Sequence, residues 1–143
     1  MYCILSKKTL TPVTTEYVIE APEIARKARA GQFVIVRVHE RGERIPLTIA
    51  DRDADAGTIT VVAQEIGATS RRMKELEPGD SLASLTGPLG RPTEIERYGT
   101  VVLVGGGLGI AAIHPICQAL RDAGNHVIAI IGARSGDLLF WED

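Results

Sequence analysis

Gly105-Gly106-Gly107-Leu108-Gly109-Ile110-Ala111-Ala112 is the stretch of this 143-residue chain whose residue types point most directly to chemistry. Four glycines within five residues follow an apolar run and open a helical pattern. Glycine lets the backbone approach a phosphate, and the free amides and dipole of a helix start favour its negative charge. Gly107-x-Gly109-x-x-Ala112 fits the dinucleotide pattern, with a small residue where helix packs on strand. The plain alternative is a tight strand-to-helix turn with no ligand. The acidic residue that holds a ribose after the second strand of such a unit is missing, and Gly132-Ala133-Arg134-Ser135 stands there. Arg134 suits a 2′-phosphate, which allows NADP; a solvated loop arginine is the equal alternative.

The second segment is Glu43-Arg44-Ile45-Pro46-Leu47-Thr48-Ile49-Ala50. A cation leads into a strand whose proline removes a backbone donor, and Thr48 sets a hydroxyl among apolar neighbours. By itself this is also an edge strand with a surface arginine. The third segment is Val62-Ala63-Gln64-Glu65-Ile66-Gly67-Ala68-Thr69-Ser70, a strand end turning into a helix start. Flanked by Arg71 and Arg72, it offers a second helix N-terminus for an anion, or else a capped helix with no ligand. Two anion sites, one among strands and one in a strand–helix unit, suit a flavin dinucleotide beside a nicotinamide nucleotide.

Other chemistries find little support. Net charge is −2 with a pI near 5.9, and only 4% of residues are aromatic, so nucleic acid is disfavoured as a partner. Cys3 and Cys117 fit no metal spacing; buried free thiols are expected, with a disulfide the open alternative. His39, His114 and His126 are scattered, and His114, beside Pro115, is expected to pack at a helix start. No metal site is expected. The longest apolar run, residues 101–113, contains four glycines and is too short for a bilayer, so no membrane is expected. Lys7 and Lys8 are followed by no apolar signal region, and the cytoplasm is the expected location.

The elements that must position these residues fall into two groups. Residues 2–10, 14–20, 32–39, 46–50, 58–64 and 81–86 read as six strands separated by turn signals, the pattern of a small antiparallel barrel. In residues 32–39, Phe33, Ile35 and Val38 alternate as apolar positions against Arg37 and His39. A short helix capped by Thr69 or Ser70 runs through Met73 to Leu76 before Pro78, and another helical turn lies near residues 23–29. Residues 100–104 form an unbroken apolar strand of the kind buried on both faces of a parallel sheet. A helix over residues 110–123, stopped by Gly124 and Asn125, and a strand over residues 126–131 complete one strand–helix–strand unit. The fold class is therefore a six-stranded antiparallel β-barrel, residues 1–97, followed by an incomplete α/β Rossmann-like unit, residues 98–143. Two parallel strands fall short of the three in a mononucleotide-binding half, so a truncated fragment or a subunit completed by a partner is expected.

Taken together, Ala30-Gly31-Gln32-Phe33-Val34, Arg44-Ile45-Pro46-Leu47-Thr48-Ile49, Gly87-Pro88-Leu89-Gly90 and Val104-Gly105-Gly106-Gly107-Leu108-Gly109 resemble the ferredoxin–NADP reductase superfamily. The nearest resemblance is to flavin subunits of the sulfide dehydrogenase (NADH-dependent ferredoxin:NADP oxidoreductase) type and of the dihydroorotate dehydrogenase type. The resemblance implies that Arg44 reaches the pyrophosphate of FAD and that Thr48 hydrogen-bonds the flavin N5 edge as the catalytic contact. It places Pro46 and Leu47 along the ring and ribityl chain, counts Ile45 among the cofactor-binding residues, and sets Val62, Ala63 and Gln64 against the ring by backbone. Gly67, Ala68, Thr69 and Ser70 would hold phosphates, and Gly105, Gly106, Gly107, Gly109, Ile110 and Ala111, with Arg134, would receive NAD(P)H. Gly87 and Pro88 would shape the cleft between the units.

The implied activity is electron transfer between NAD(P)H and an iron–sulfur centre through FAD, within a heteromer containing a larger oxidoreductase subunit and served by ferredoxin or another iron–sulfur protein. The sequence departs from the superfamily in three ways. Ile45 occupies the place three before the hydroxyl residue where an arginine is common, with Arg44 one position earlier. Ala30 replaces a frequent proline. The cysteines for a [2Fe–2S] cluster are absent, since a cluster needs four ligands and this chain has two cysteines. The competing class is a barrel that binds a nucleotide or a partner and transfers no electrons.

Overall fold

A computed structural model of the chain describes residues 2–142, the Thr69 side chain excepted. The first part contains β1 (Tyr2–Thr11), β2 (Thr14–Glu20), α1 (Pro22–Lys27), β3 (Phe33–Arg37), β4 (Arg44–Thr48), β5 (Asp51–Asp53), β6 (Thr58–Gln64), α2 (Ala68–Lys74), β7 (Ser81–Leu82) and β8 (Ser84–Leu89). They form two antiparallel sheets, of order β5-β6-β2-β1-β7 and β4-β3-β8, which do not join into one closed barrel among the described residues.

The six expected strands become eight because two of them cross from one sheet to the other. Thr48 pairs with Phe33 in the small sheet, whereas the Ala50 amide donates to Thr60 of β6 in the large one. Likewise Leu82 pairs with Tyr2, and Ser84 pairs with Arg37. The chain turns a corner at Ile49–Ala50 and again at Ala83. Strands that switch sheets through a bend in this way make the corners of packed β-sheets.

Alternation selects the core. Tyr17 and Ile19 of β2, Val34 and Val36 of β3, and Ile59 and Val61 of β6 point inward and are almost fully buried. Ile24 and Ala25 of α1 and Met73 of α2 close the cluster. In β3 the inward set is Val34, Val36 and, beyond the strand, Val38. The expected set of Phe33 and Ile35 faces outward and is half-buried. Both faces of this strand are apolar, so its own alternation did not decide which would turn inward. Gly87 of β8 lies against this strand, and a Cβ there would stand 2.7 Å from Val34 Cγ1, so the close approach requires glycine.

Burial has an electrostatic consequence at Tyr17, which is 1% exposed. Desolvation pushes its phenol up to about 12, against a smaller opposing effect of the Thr15 hydrogen bond. The unfolded chain releases this proton near pH 10, while the folded chain retains it to about pH 12. Stability present below pH 10 is therefore lost across that window, by about 1.4 kcal/mol per pH unit. Urea titrations between pH 9 and 12 should show this slope in the wild type and a flatter one in Tyr17→Phe.

The second part contains β9 (Thr100–Gly106), α3 (Gly109–Asp122) and β10 (His126–Gly132), followed by a single 3₁₀ turn, Gly136–Leu138. β9 and β10 pair in parallel from Thr100–His126 to Gly106–Gly132. One face of this sheet packs on α3. The other carries Val102, Val104, Ile128 and Ile130, all more than 40% exposed. The expectation of burial on both faces is thus not met within this chain: Val101, Leu103, Val127 and Ile131 on the helix side are half-buried, and the other face is open.

The connection between the parts is fixed by Asn125, which is 6% exposed. Its Oδ1 accepts from the Tyr98 and Gly99 amides at 2.6 and 2.9 Å. Its Nδ2 donates to the Glu96 and Leu120 carbonyls at 2.8 and 2.9 Å. Cys3 and Cys117 are free and half-buried, and desolvation raises the Cys117 thiol. No helix among the described residues is long and apolar enough to cross a membrane.

Candidate functional site

The glycine turn is built by close contact. Gly107 takes a φ of +56°, open to glycine at little cost, and its amide donates to the Gly132 carbonyl at 2.9 Å. A Cβ on Gly105 would lie 2.9 Å from both the Gly109 carbonyl oxygen and Ile113 Cδ1, so α3 sits directly on the strand. A Cβ on Gly107 would meet nothing within 4 Å. Bare backbone therefore faces a cleft of about 800 Å³ lined by Gly106, Gly107, Leu108, Gly132, Ala133 and Arg134 on one side. The opposite wall is Val13, Thr14, Gln64, Glu65 and Ile66, with Leu138 and Phe140 closing one end. Lys74 bonds Glu65 at 2.9 Å and holds its carboxyl below the ordinary value.

Of the sequence-derived candidates, this cleft gathers Gln64, Gly106, Gly107 and Arg134. Gly67, directly after Ile66, opens α2 at its mouth. The cap of α2 is Gly67, not Thr69 or Ser70, which lie inside the first turn. The Ser70 hydroxyl accepts from the Ile66 and Gly67 amides at 3.2 and 3.0 Å, so these two donors are already engaged. Ala68 is exposed beside them, and the Thr69 side chain lies outside the described residues.

A second group lies on the outer face of the small sheet. Arg44, Pro46 and Thr48 share that face, whereas Leu47 is 8% exposed in the main core and Ile45 packs against it. The period of two thus removes the Ile45 and Leu47 side chains from the outward surface and corrects their expected place along a ligand. It also resolves the displaced arginine: Arg44, four residues before Thr48, looks the same way, while Ile45 does not. Phe33 and Ile35 stand opposite Thr48 and Pro46 and extend this half-buried apolar surface. Thr48 is not among the residues lining the 800 Å³ cleft.

The two groups meet at the corner after Thr48. Ala50, Val62, Ile110, Ala111 and Phe140 form a second buried cluster, so the side chains of Val62, Ile110 and Ala111 serve packing. Ala63 is buried in the main core. The His114 ring Nδ1 lies 3.0 Å from the Ala50 carbonyl, and the ring stacks at 4.7 Å on Trp141. His114 therefore ties α3 to the strand that carries Thr48, a role sequence reasoning missed. Its one signal was a position four residues after Ile110, on the same helix face.

Gly87 and Pro88 are not at the cleft. Gly87 lines a separate hollow of about 260 Å³ with Tyr2, Pro22 and Leu85, and its absence of side chain serves the approach to Val34. No group of three or more potential metal ligands occurs among the described residues.

The whole-chain likeness to solved structures is decisive. The chain superposes over its full length on an NADH-dependent reduced ferredoxin-NADP oxidoreductase studied for flavin-based electron bifurcation, with a TM-score of 0.96 and 42% identity. It is similar over its whole length to proteins of the ferredoxin–NADP reductase superfamily. The superfamily relatives include a Thermotoga maritima protein named as a dihydroorotate dehydrogenase B (NAD(+)) electron transfer subunit homolog, 43% identical over 98% of the chain. The corresponding subunit from Fusobacterium nucleatum is 29% identical over 79% of the chain. Phthalate dioxygenase reductase shares the superfamily fold at a TM-score of 0.80 and 18% identity. The chain spans about half the length of these relatives: 50%, 46%, 52% of the bifurcating enzyme's chain, and 45% of the reductase. No protein-family model matches it.

Proposed function

We propose that this chain is the flavin-binding part of an electron-transfer subunit that passes reducing equivalents from NAD(P)H, through FAD, to an iron–sulfur centre or partner subunit. The observation that carries the reading is the pairing of an outward apolar face bearing Thr48 with a bare-backbone glycine turn, tied together at Ala50 and His114. It is supported by the 42% identical superposition on an NADH-dependent ferredoxin-NADP oxidoreductase. The division of labour is residues 1–97 for FAD and residues 98–143 for the first part of an NAD(P)-binding Rossmann-like unit.

The residues fit these two groups. Half-buried Phe33 and Ile35 with exposed Pro46 offer a flat ring an apolar seat, and Thr48 adds a hydroxyl with no partner among the described residues. Arg44 supplies charge for a pyrophosphate, with Gly67, Ala68, Thr69 and Ser70 nearby in function. Val62, Ala63 and Gln64 contribute backbone, since the first two side chains are committed to packing. The glycine turn and Arg134 take the nicotinamide nucleotide. When bound, FAD supplies the exchange between two-electron and one-electron transfer. The protein's part is to place the two rings, keep out water and hold a donor at the flavin edge, with no side-chain acid or base required.

A [2Fe–2S] cluster does not fit this chain, whose two cysteines lie far apart in sequence. The electron acceptor is accordingly placed elsewhere: in a larger oxidoreductase subunit, ferredoxin or another iron–sulfur protein, within a cytoplasmic heteromer. The dihydroorotate-linked version differs in its partner, which is where substrate identity resides.

Purified protein is expected to be yellow and to bleach with NADH or NADPH. Protein that takes up no added FAD would instead be a binding module. In Arg44→Ala, FAD affinity should fall by about tenfold, the scale of one charge-assisted contact, seen as a lower holoprotein fraction after dialysis.

A further inference from the structure

We propose that His114 is a positioning residue: the bond from its ring to the Ala50 carbonyl fixes the angle at which the glycine turn meets the face bearing Thr48, and so the gap between the two bound rings. The inference rests on the flavin and nicotinamide reading above and adds to it a residue outside both the cleft and the Thr48 face.

The side of α3 that meets the first part is unevenly packed. At the helix start, Ile110 and Ala111 are buried with Ala50, Val62 and Phe140. Farther along, Pro115 and Gln118 face Ala28, Ile49 and Arg52 across a hollow of about 210 Å³. An apolar cluster resists separation more than rotation, because hydrophobic contact has no direction, and a hollow supplies no contacts of its own. His114 stands between the two, one turn after Ile110, where a directional bond has leverage over the tilt of the helix. Its Nδ1 lies 3.0 Å from the Ala50 oxygen, which can only accept, so Nδ1 carries the proton and donates. Ala50 is fully buried, which shields the bond from competing water. The Trp141 ring, 4.7 Å away, limits the freedom of the imidazole to turn.

Each end of this bond leads directly to one of the two ligand-binding groups. Ala50 follows Thr48 by two residues, and α3 begins at Gly109, so a tilt of the helix moves the glycine turn relative to Thr48. A hydride passes with its electron pair, oxidising the nicotinamide and reducing the flavin, when the reacting atoms stand about 3–3.5 Å apart, and a displacement of about 1 Å costs up to about a hundredfold in rate.

Two variants separate the bond from the ring. His114→Phe keeps an aromatic ring beside Trp141 and loses the donor. His114→Asn loses the ring and keeps an amide nitrogen in the place of Nδ1. Backbone residual dipolar couplings of the flavin-free 143-residue chain report the relative orientation of residues 2–89 and 100–132. One alignment should fit both parts in wild type and His114→Asn, and two should be needed in His114→Phe. With FAD bound, the limiting rate of stopped-flow reduction by NADH should fall by about tenfold or more in His114→Phe and by about threefold at most in His114→Asn, with the FAD Kd within about twofold of wild type in both. A single alignment for His114→Phe, or a limiting rate within about twofold of wild type, would overturn the inference and leave the flavin reading standing. So would equal losses in the two variants, which would assign the effect to the packing of the ring. If wild type takes up no FAD, or its flavin is not reduced by NADH, the reading itself is overturned and this inference with it.

Discussion

Thr48→Val is expected to slow reduction of bound flavin by NADH or NADPH by about ten- to a hundredfold, the kinetic equivalent of one hydrogen bond to a charge-developing group. FAD affinity should stay within about twofold. Valine matches threonine in shape and strand propensity, and Thr48 is half-buried on an outward face, so the exchange removes a hydroxyl and little packing. That hydroxyl has no partner among the described residues, and its loss leaves no protein group unsatisfied. Stopped-flow measurement of flavin bleaching, with the FAD Kd measured in parallel, separates the two quantities. An unchanged bleaching rate would move the donor at the flavin edge to another residue. A weakened Kd at an unchanged rate would make Thr48 a binding contact only.

Asn125→Leu should lower stability by about 3 kcal/mol or more, the largest single-residue loss expected in the α/β part. The side chain satisfies two backbone amides and two backbone carbonyls at a buried position. Leucine would leave the Tyr98 and Gly99 amides and the Glu96 carbonyl without this partner, while the Leu120 carbonyl keeps the residue-125 backbone amide, at about 1–3 kcal/mol for each lost group that water cannot reach. The fluorescence of Trp141, the only tryptophan, reports the affected region, because its ring packs on His114 of α3 and on Phe140. Urea unfolding followed at that signal gives the difference directly. A loss below about 1 kcal/mol would mean that the segment before β9 is held by other contacts.

The sequence by itself determined the order and type of the main elements, and it located the glycine turn. These are local matters. Period-two alternation over residues 58–64 and the switch to an apolar strand, glycines and helix after residue 100 depend on neighbours a few positions apart. The need for glycine at Gly105 and Gly107 was legible for the same reason, since backbone approach and positive φ leave their mark on the residue itself.

What only the tertiary structure decided are the features set by partners distant in the chain. Phe33 and Val34 are both apolar, and only packing against β1, β2 and β6 turned Val34 inward and left Phe33 on the outer face beside Thr48. Strand breaks at Ile49–Ala50 and Ala83 carry no strong turn signal, because a chain that changes sheets needs a bend and new partners, not a reversal. Gly87 read as part of a ligand cleft and is instead the seat of Val34. His114 and Asn125 are single polar residues whose positions in the sequence do not name their partners. Their meaning comes from a carbonyl 64 positions away and from four backbone groups around a helix end. Local periodicity fixes which conformation a segment takes; which face it buries, and what its polar groups touch, is settled by contacts the segment does not contain.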